Sequence, residues 1–286
     1  MRNVDGMVHT VSLILAIISS LCFAVGMFLT KGVTLQISVY KAIGPLFILN
    51  ALFVVPLIPF GPRWIVWTGS IPYLHIVGAV CSGLAAAIIF TMVSRSTASV
   101  VTVGQAISPA VVLILAPFTL GNHIFPAQII AVIVLVLAIV FPLRKSLVGV
   151  SSFLTVFLMV LLGLVGGVVT IAVALLYRQG VGTSETFIIR QTLAGIVFMI
   201  IYPPKGLCLR DFMQLVRRSF FMSIGWLTSI YAIQKGSPIL VQSLMAAIPI
   251  WVILIETVVY RKLPKPPVIF SALVIAVGIY ALALTS

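Results

Sequence analysis

Arg190 is the first residue whose setting asks for chemistry. It stands in "TSETFIIRQTLAGIVFMII", a few residues into an apolar run, with Gln191 and Thr192 beside it. If that run crosses a bilayer, an ionised group at its centre costs about 2.5 to 3.5 kcal/mol on insertion scales, so it needs a purpose. One purpose is to meet a substrate, and the planar guanidinium fork suits a carboxylate or a phosphate. The other is to snorkel along its stem to a headgroup. Lys41 heads a similar run, "KAIGPLFILNALFVVPLI", and is the counterpart of Arg190, though nearer a helix end.

Neutral polar groups lie in the same kind of setting. Gln105 and Ser108, then Gln242 and Ser243, could offer hydrogen bonds to a solute or could join helices to each other. Asn50 falls midway along its run and has the same two options. Trp226 could stack on a ring. Pro109 and Pro249 each free a backbone carbonyl and bend a helix, which lipid tolerates only where protein or water meets the freed group. Both prolines therefore mark either helices that line a cavity or merely structural kinks. Glu256, two turns beyond Pro249, is the deepest acid and the one candidate proton carrier; its alternative partners are Arg261, Lys262 or a headgroup.

Catalysis finds no support. His9, His75 and His123 are far apart, with no metal-binding spacing, and no glycine-rich phosphate loop follows a strand. Cys22, Cys81 and Cys208 have no ligand spacing either. No cofactor or metal is expected, and the chain does not look like an enzyme.

The elements that must hold these residues are set by composition. Hydrophobic residues make up 62% of the chain and charged residues 7%, too apolar for a soluble domain of 286 residues. The net charge of +13 suggests nucleic acid, but its basic residues stand singly or in pairs at the ends of apolar runs. That is the usage of a membrane protein, so no nucleic-acid partner is expected. Spans of roughly 20 apolar residues are read at about 11–31, 39–60, 72–94, 98–120, 126–143, 151–177, 185–204, 219–234, 238–260 and 267–285. In lipid these runs are helices, because every backbone group must be paired internally.

The expected architecture is an all-α integral membrane protein of ten transmembrane helices. "STASVVTVGQAISPAVVLILA" and "GSPILVQSLMAAIPIWVILIE" match at an offset of 140, at Val101/Val241, Ala106/Ala246, Pro109/Pro249 and Val112/Val252. The chain thus divides into repeats at 1–147 and 148–286. Five helices per repeat is an odd number, so the second repeat enters the membrane inverted, an arrangement that puts a binding site at the repeat interface.

With "YKAIGPLF" and "IIRQTLAG", then "SRSTASVVTVGQAISP" and "QKGSPILVQSLMAAIP", the whole chain resembles the drug/metabolite transporter superfamily, specifically its ten-helix EamA-type exporters. The resemblance implies a basic residue at the head of each repeat's second helix. It also implies a Gly-Glu pair closing the fourth, where this chain has Gly121-Asn122 and Arg261-Lys262. The expected function is movement of a small metabolite, an amino acid or related organic anion or zwitterion, by alternating access in the cell (inner) membrane, as a monomer or homodimer. Its rivals are efflux of lipophilic cations, lipid flipping, and a scaffold that transports nothing. Basic residues flanking the spans divide twelve to four, which places both termini outside the cytoplasm; the resemblance implies both inside.

Overall fold

The structure, a computed structural model, describes residues 2–56, 67–95, 98–105, 107–121, 125–130, 132–134, 137 and 153–261. Among them every regular element is a helix. In chain order these are α1 (Arg2–Gln36), α2 (Val39–Val54), α3 (Ile71–Arg95), α4 (Ala98–Gln105) and α5 (Ser108–Leu120). Then follow α6 (Phe153–Arg178), α7 (Thr183–Ile201), α8 (Leu209–Lys235), α9 (Pro238–Met245) and α10 (Ile248–Tyr260). Residues 126–130 and 132–134 are also helical. The remainder of the expected fifth span and the tenth, 267–285, lie outside the described residues.

Among the described residues, five segments are long and apolar enough to cross a bilayer: Thr10–Gln36, Ile71–Arg95, Leu154–Arg178, Thr183–Ile201 and Pro238–Val259. The eighth span begins earlier than its apolar run suggests. Asp211 accepts a hydrogen bond from the Cys208 N–H at 3.5 Å and starts α8 ten residues before Ser219. A carboxylate in the first turn complements the helix dipole, and the buried face Leu215, Arg218, Ser219, Met222 runs on into the apolar part.

The bundle is apolar outside as well as within. Large apolar side chains such as Val80, Ile114, Phe118, Ile200 and Val258 are exposed, while Ser12, Ser19, Thr30, Thr102 and Thr186 are buried. Lipid is as apolar as leucine, so helices gain by close packing of small residues and by hydrogen bonds between them. Antiparallel α1 and α8 show both. The Ser12 hydroxyl donates to the Ala232 carbonyl at 2.9 Å and the Ser19 hydroxyl to that of Gly225 at 2.7 Å. Antiparallel α2 and α7 meet at Gly44 against Met199 and at Gly195 against Ile48.

The packing partners come in matched pairs. α1 packs on α8 and α6 packs on α3. α1 also touches α9 and α10, and α6 touches α4 and α5. α4 meets α10 and α5 meets α9, with α2 and α7 against each other.

The kinks expected at Pro109 and Pro249 are complete breaks. Both prolines occupy the second position of a new helix, where the missing N–H has no helical partner to lose. The break is built alike in both places. The Ile107 N–H donates to the Gly104 carbonyl, and the Ala247 N–H to that of Leu244. The Ile107 carbonyl then accepts from Ala110 and Val111, as that of Ala247 accepts from Ile250 and Trp251.

Candidate functional site

Three helices present one stripe each to a common cavity. α2 contributes Ile43, Leu46, Phe47 and Asn50; α3 contributes Ser82, Ala85, Ala86, Ile89 and Phe90; α8 contributes Arg218, Met222 and Trp226. Steps of three and four residues place each set on one helix face. Small side chains at Ser82, Ala85 and Ala86 leave the space. It amounts to about 50 Å³, well below the few hundred of a typical small-molecule pocket.

Arg190 lies beside this cavity and is 2% exposed. Its guanidinium carbon sits 4.6 Å from the centre of the Trp226 ring, a cation–π contact. Gly78 of α3 makes the room: a side-chain carbon there would stand 3.3 Å from Arg190 Cδ. Nε, Nη1 and Nη2 all lack a hydrogen-bond partner among the described residues. A buried guanidinium with no acceptor is costly unless something else fills that role.

His75 lies one turn before Gly78 on α3 and is fully buried, with both ring nitrogens unpartnered. Gln191, next to Arg190, pairs with the side-chain amide of Asn50 at 3.3 Å. The Ser223 hydroxyl donates to the Asn50 carbonyl at 3.2 Å and that of Ser219 to the Leu46 carbonyl at 3.4 Å, so α8 is tied to α2 along the wall.

Arg218 faces the same space from the other end and is 4% exposed. Its Nε donates to Thr30 Oγ1 at 2.7 Å, and its guanidinium carbon lies 4.8 Å over the Phe90 ring. Sequence reasoning missed it by leaving 205–218 as a connection. The signal was available, since Leu215, Arg218, Ser219 and Met222 already follow the helical spacing of the run that comes after them.

Of the residues expected at the site, Arg190, Trp226 and Asn50 come together. Lys41 does not. α2 starts at Val39, so Lys41 lies in its first turn, exposed, with Nζ donating to the Lys205 carbonyl at 3.2 Å. Arg190 is two turns into α7, which explains why one basic residue is buried and its expected counterpart is not.

Residues of the broken helices turn toward α6 instead of the cavity. The Ser108 hydroxyl donates to the Gly163 carbonyl at 3.1 Å, and Gln242 Nε2 pairs with Thr170 Oγ1. The Ser243 hydroxyl donates to its own helix at Ile239, and Gln105 is half-buried with Oε1 unpaired. Pro109 and Pro249 stand at the two breaks, near Ser108 and Ser243 rather than in the cavity wall. Glu256 is half-buried on α10 and does not line the cavity. Among the described residues no three His, Cys, Asp or Glu side chains gather as a metal site would require.

The profile of the EamA-like transporter family matches residues 10–144. A search of curated proteins finds no match. One solved crystal structure superposes on the chain with a TM-score of 0.72 at 13% identity, over 94% of this chain and 99% of its own. At that identity the likeness speaks for the fold alone. Residues 10–144 are therefore similar to an EamA-like transporter domain, and with its long apolar helices the chain is a multi-pass integral membrane protein.

Proposed function

We propose that the protein is a secondary transporter that moves a small metabolite bearing a carboxylate or phosphate by alternating access. The observation that carries this reading is Arg190, buried, stacked on Trp226, and with no acceptor among the described residues for any of its three nitrogens. An anion entering between α2, α3 and α8 supplies those acceptors and neutralises a charge that the protein leaves unpaired.

Alternating access needs two halves that exchange places. The repeats 1–147 and 148–286 fit that role. In support, the helix breaks correspond at an offset of 140 down to their individual hydrogen bonds, and the packing partners exchange pairwise between the halves. With only about 50 Å³ available, this conformation is a tight one. A metabolite enters when α2 and α3 draw away from α8.

A second reading has one observation in its favour. An apolar groove of about 370 Å³ between α3 and α7, lined by Val80, Leu84, Val197 and Phe198, opens among residues that face lipid. It would suit a lipid or a lipophilic solute. A cation, however, finds no acid in the cavity wall, since Glu256 lies off it.

Thermal unfolding of the detergent-purified protein across a metabolite panel, beside Arg190→Ala, tests the proposal. A ligand at a hundredfold excess over Kd adds about 2.7 kcal/mol to apparent stability. Stabilisation by carboxylates or phosphates that disappears in the variant supports the anion site. Stabilisation by lipids or cations alone moves the function to the apolar groove, and no response to any solute favours a scaffold.

A further inference from the structure

Two buried cations flank the same cavity, one in its lining and one behind Trp226. Arg218 reaches it from one end, and Arg190 is coupled to it through Trp226 at the other. Arg218 and Trp226 are eight residues apart on α8, about 12 Å along the helix axis. Each guanidinium is held in place: Arg218 by Thr30 and the Phe90 ring, Arg190 by the Trp226 ring and the gap at Gly78.

The acids are all elsewhere. The chain has four. Glu185 accepts the Gly182 N–H at the start of α7, and Asp211 accepts that of Cys208 at the start of α8. Glu256 is off the cavity wall. Asp5 is 25 residues from Thr30 on α1, about 37 Å of helix away.

From this we infer that the solute is a dicarboxylate, with one carboxylate at Arg190 and the other at Arg218, and not a zwitterion. The inference rests on the anion-transport reading above and narrows its substrate. The ammonium of an amino acid finds no carboxylate here, and the two rings best placed to receive it, Trp226 and Phe90, already carry guanidiniums. A monoanion neutralises one of two like charges in a poorly screened interior and leaves the other; a dianion neutralises both. Asn50 and Ser82 in the wall add hydrogen-bonding groups.

The test is thermal unfolding of the purified full chain with succinate, butyl phosphate, butyrate or leucine, at matched ionic strength. It is run on the wild type and on Arg190→Gln, Arg218→Gln and Arg218→Lys. We expect succinate to act at about tenfold lower concentration than butyrate, a difference of about 1.4 kcal/mol, and leucine not to act. Butyl phosphate, with both charges on one group, should not match succinate; if it does, the two-ended bridge is overturned. Arg218→Gln should reduce succinate to the level of butyrate, Arg218→Lys should restore part of its advantage, and Arg190→Gln should abolish both responses. If Arg218→Gln does not fold, the wild-type ranking and Arg218→Lys decide. Leucine or butyrate acting as well as succinate overturns the two-cation inference while leaving an anion site at Arg190. No anion acting on the wild type overturns the transport reading itself.

Discussion

Gly121 and Arg261 stand 140 residues apart, and each closes its helix in the left-handed backbone region, at φ 60° and φ 53°. Glycine is the usual residue in that place because it has no Cβ to collide with the following carbonyl. The first half of the chain follows the rule and the second does not: Arg261 is the one non-glycine residue with positive φ among those described. Arg261→Gly should therefore raise stability by about 1 kcal/mol, read as a higher unfolding midpoint in detergent. A lower midpoint would mean that the arginine side chain contributes more than its backbone strain costs.

The junction of α4 with α6 depends on two glycines. A side-chain carbon at Gly104 would stand 2.8 Å from the Met159 carbonyl oxygen, and one at Gly163 would stand 2.8 Å from that of Gly104. These obstacles are backbone and cannot rotate away. Gly104→Ala and Gly163→Ala should each destabilise by about 1–3 kcal/mol. Gly32→Ala is the control: nothing lies within 4 Å of the new methyl, and alanine is favoured over glycine inside a helix by about 0.5–1 kcal/mol.

Thr30 orients Arg218 through a single hydrogen bond of 2.7 Å. Hydrogen bonds to charged groups contribute about 1.5–3 kcal/mol, and Thr30→Val keeps the shape while removing the acceptor. A loss of that size is expected on thermal unfolding, whereas Thr30→Ser should retain most of the wild-type stability. If valine and serine behave alike, the bond does not hold the guanidinium.

Trp226 and Arg190 should act on ligand together. Trp226→Leu removes a cation–π contact of about 2 kcal/mol in a desolvated setting, and Arg190→Lys keeps the charge but loses the planar fork. Each alone should weaken anion-dependent stabilisation. The double variant should fall short of the sum, because the ring acts through the guanidinium it positions. Additive losses would mean that the two residues touch ligand independently.

Several features of this protein were legible from residue order alone. Hydropathy over about 20 residues is a local quantity, so the bilayer environment and most span limits follow from it; α3, expected at 72–94, occupies Ile71–Arg95. Proline chemistry is local too, and the interruptions at Pro109 and Pro249 stand where the sequence puts them, as breaks rather than bends.

Tertiary structure decided which neighbour each inward-facing group meets. Lys41 and Arg190 look alike in sequence, but the starts of α2 and α7 leave one at the surface and bury the other against Trp226. Gln242 and Ser108 had a cavity or a helix as possible partners, and close packing on the glycines of α6 gives them the helix. Arg218 sits in a charged stretch that reads as a connection until α1 and α3 supply Thr30 and Phe90 from 188 and 128 residues away. Periodicity shows that a side chain points inward. What it meets there is set by helices distant in the chain, and no local window contains that information.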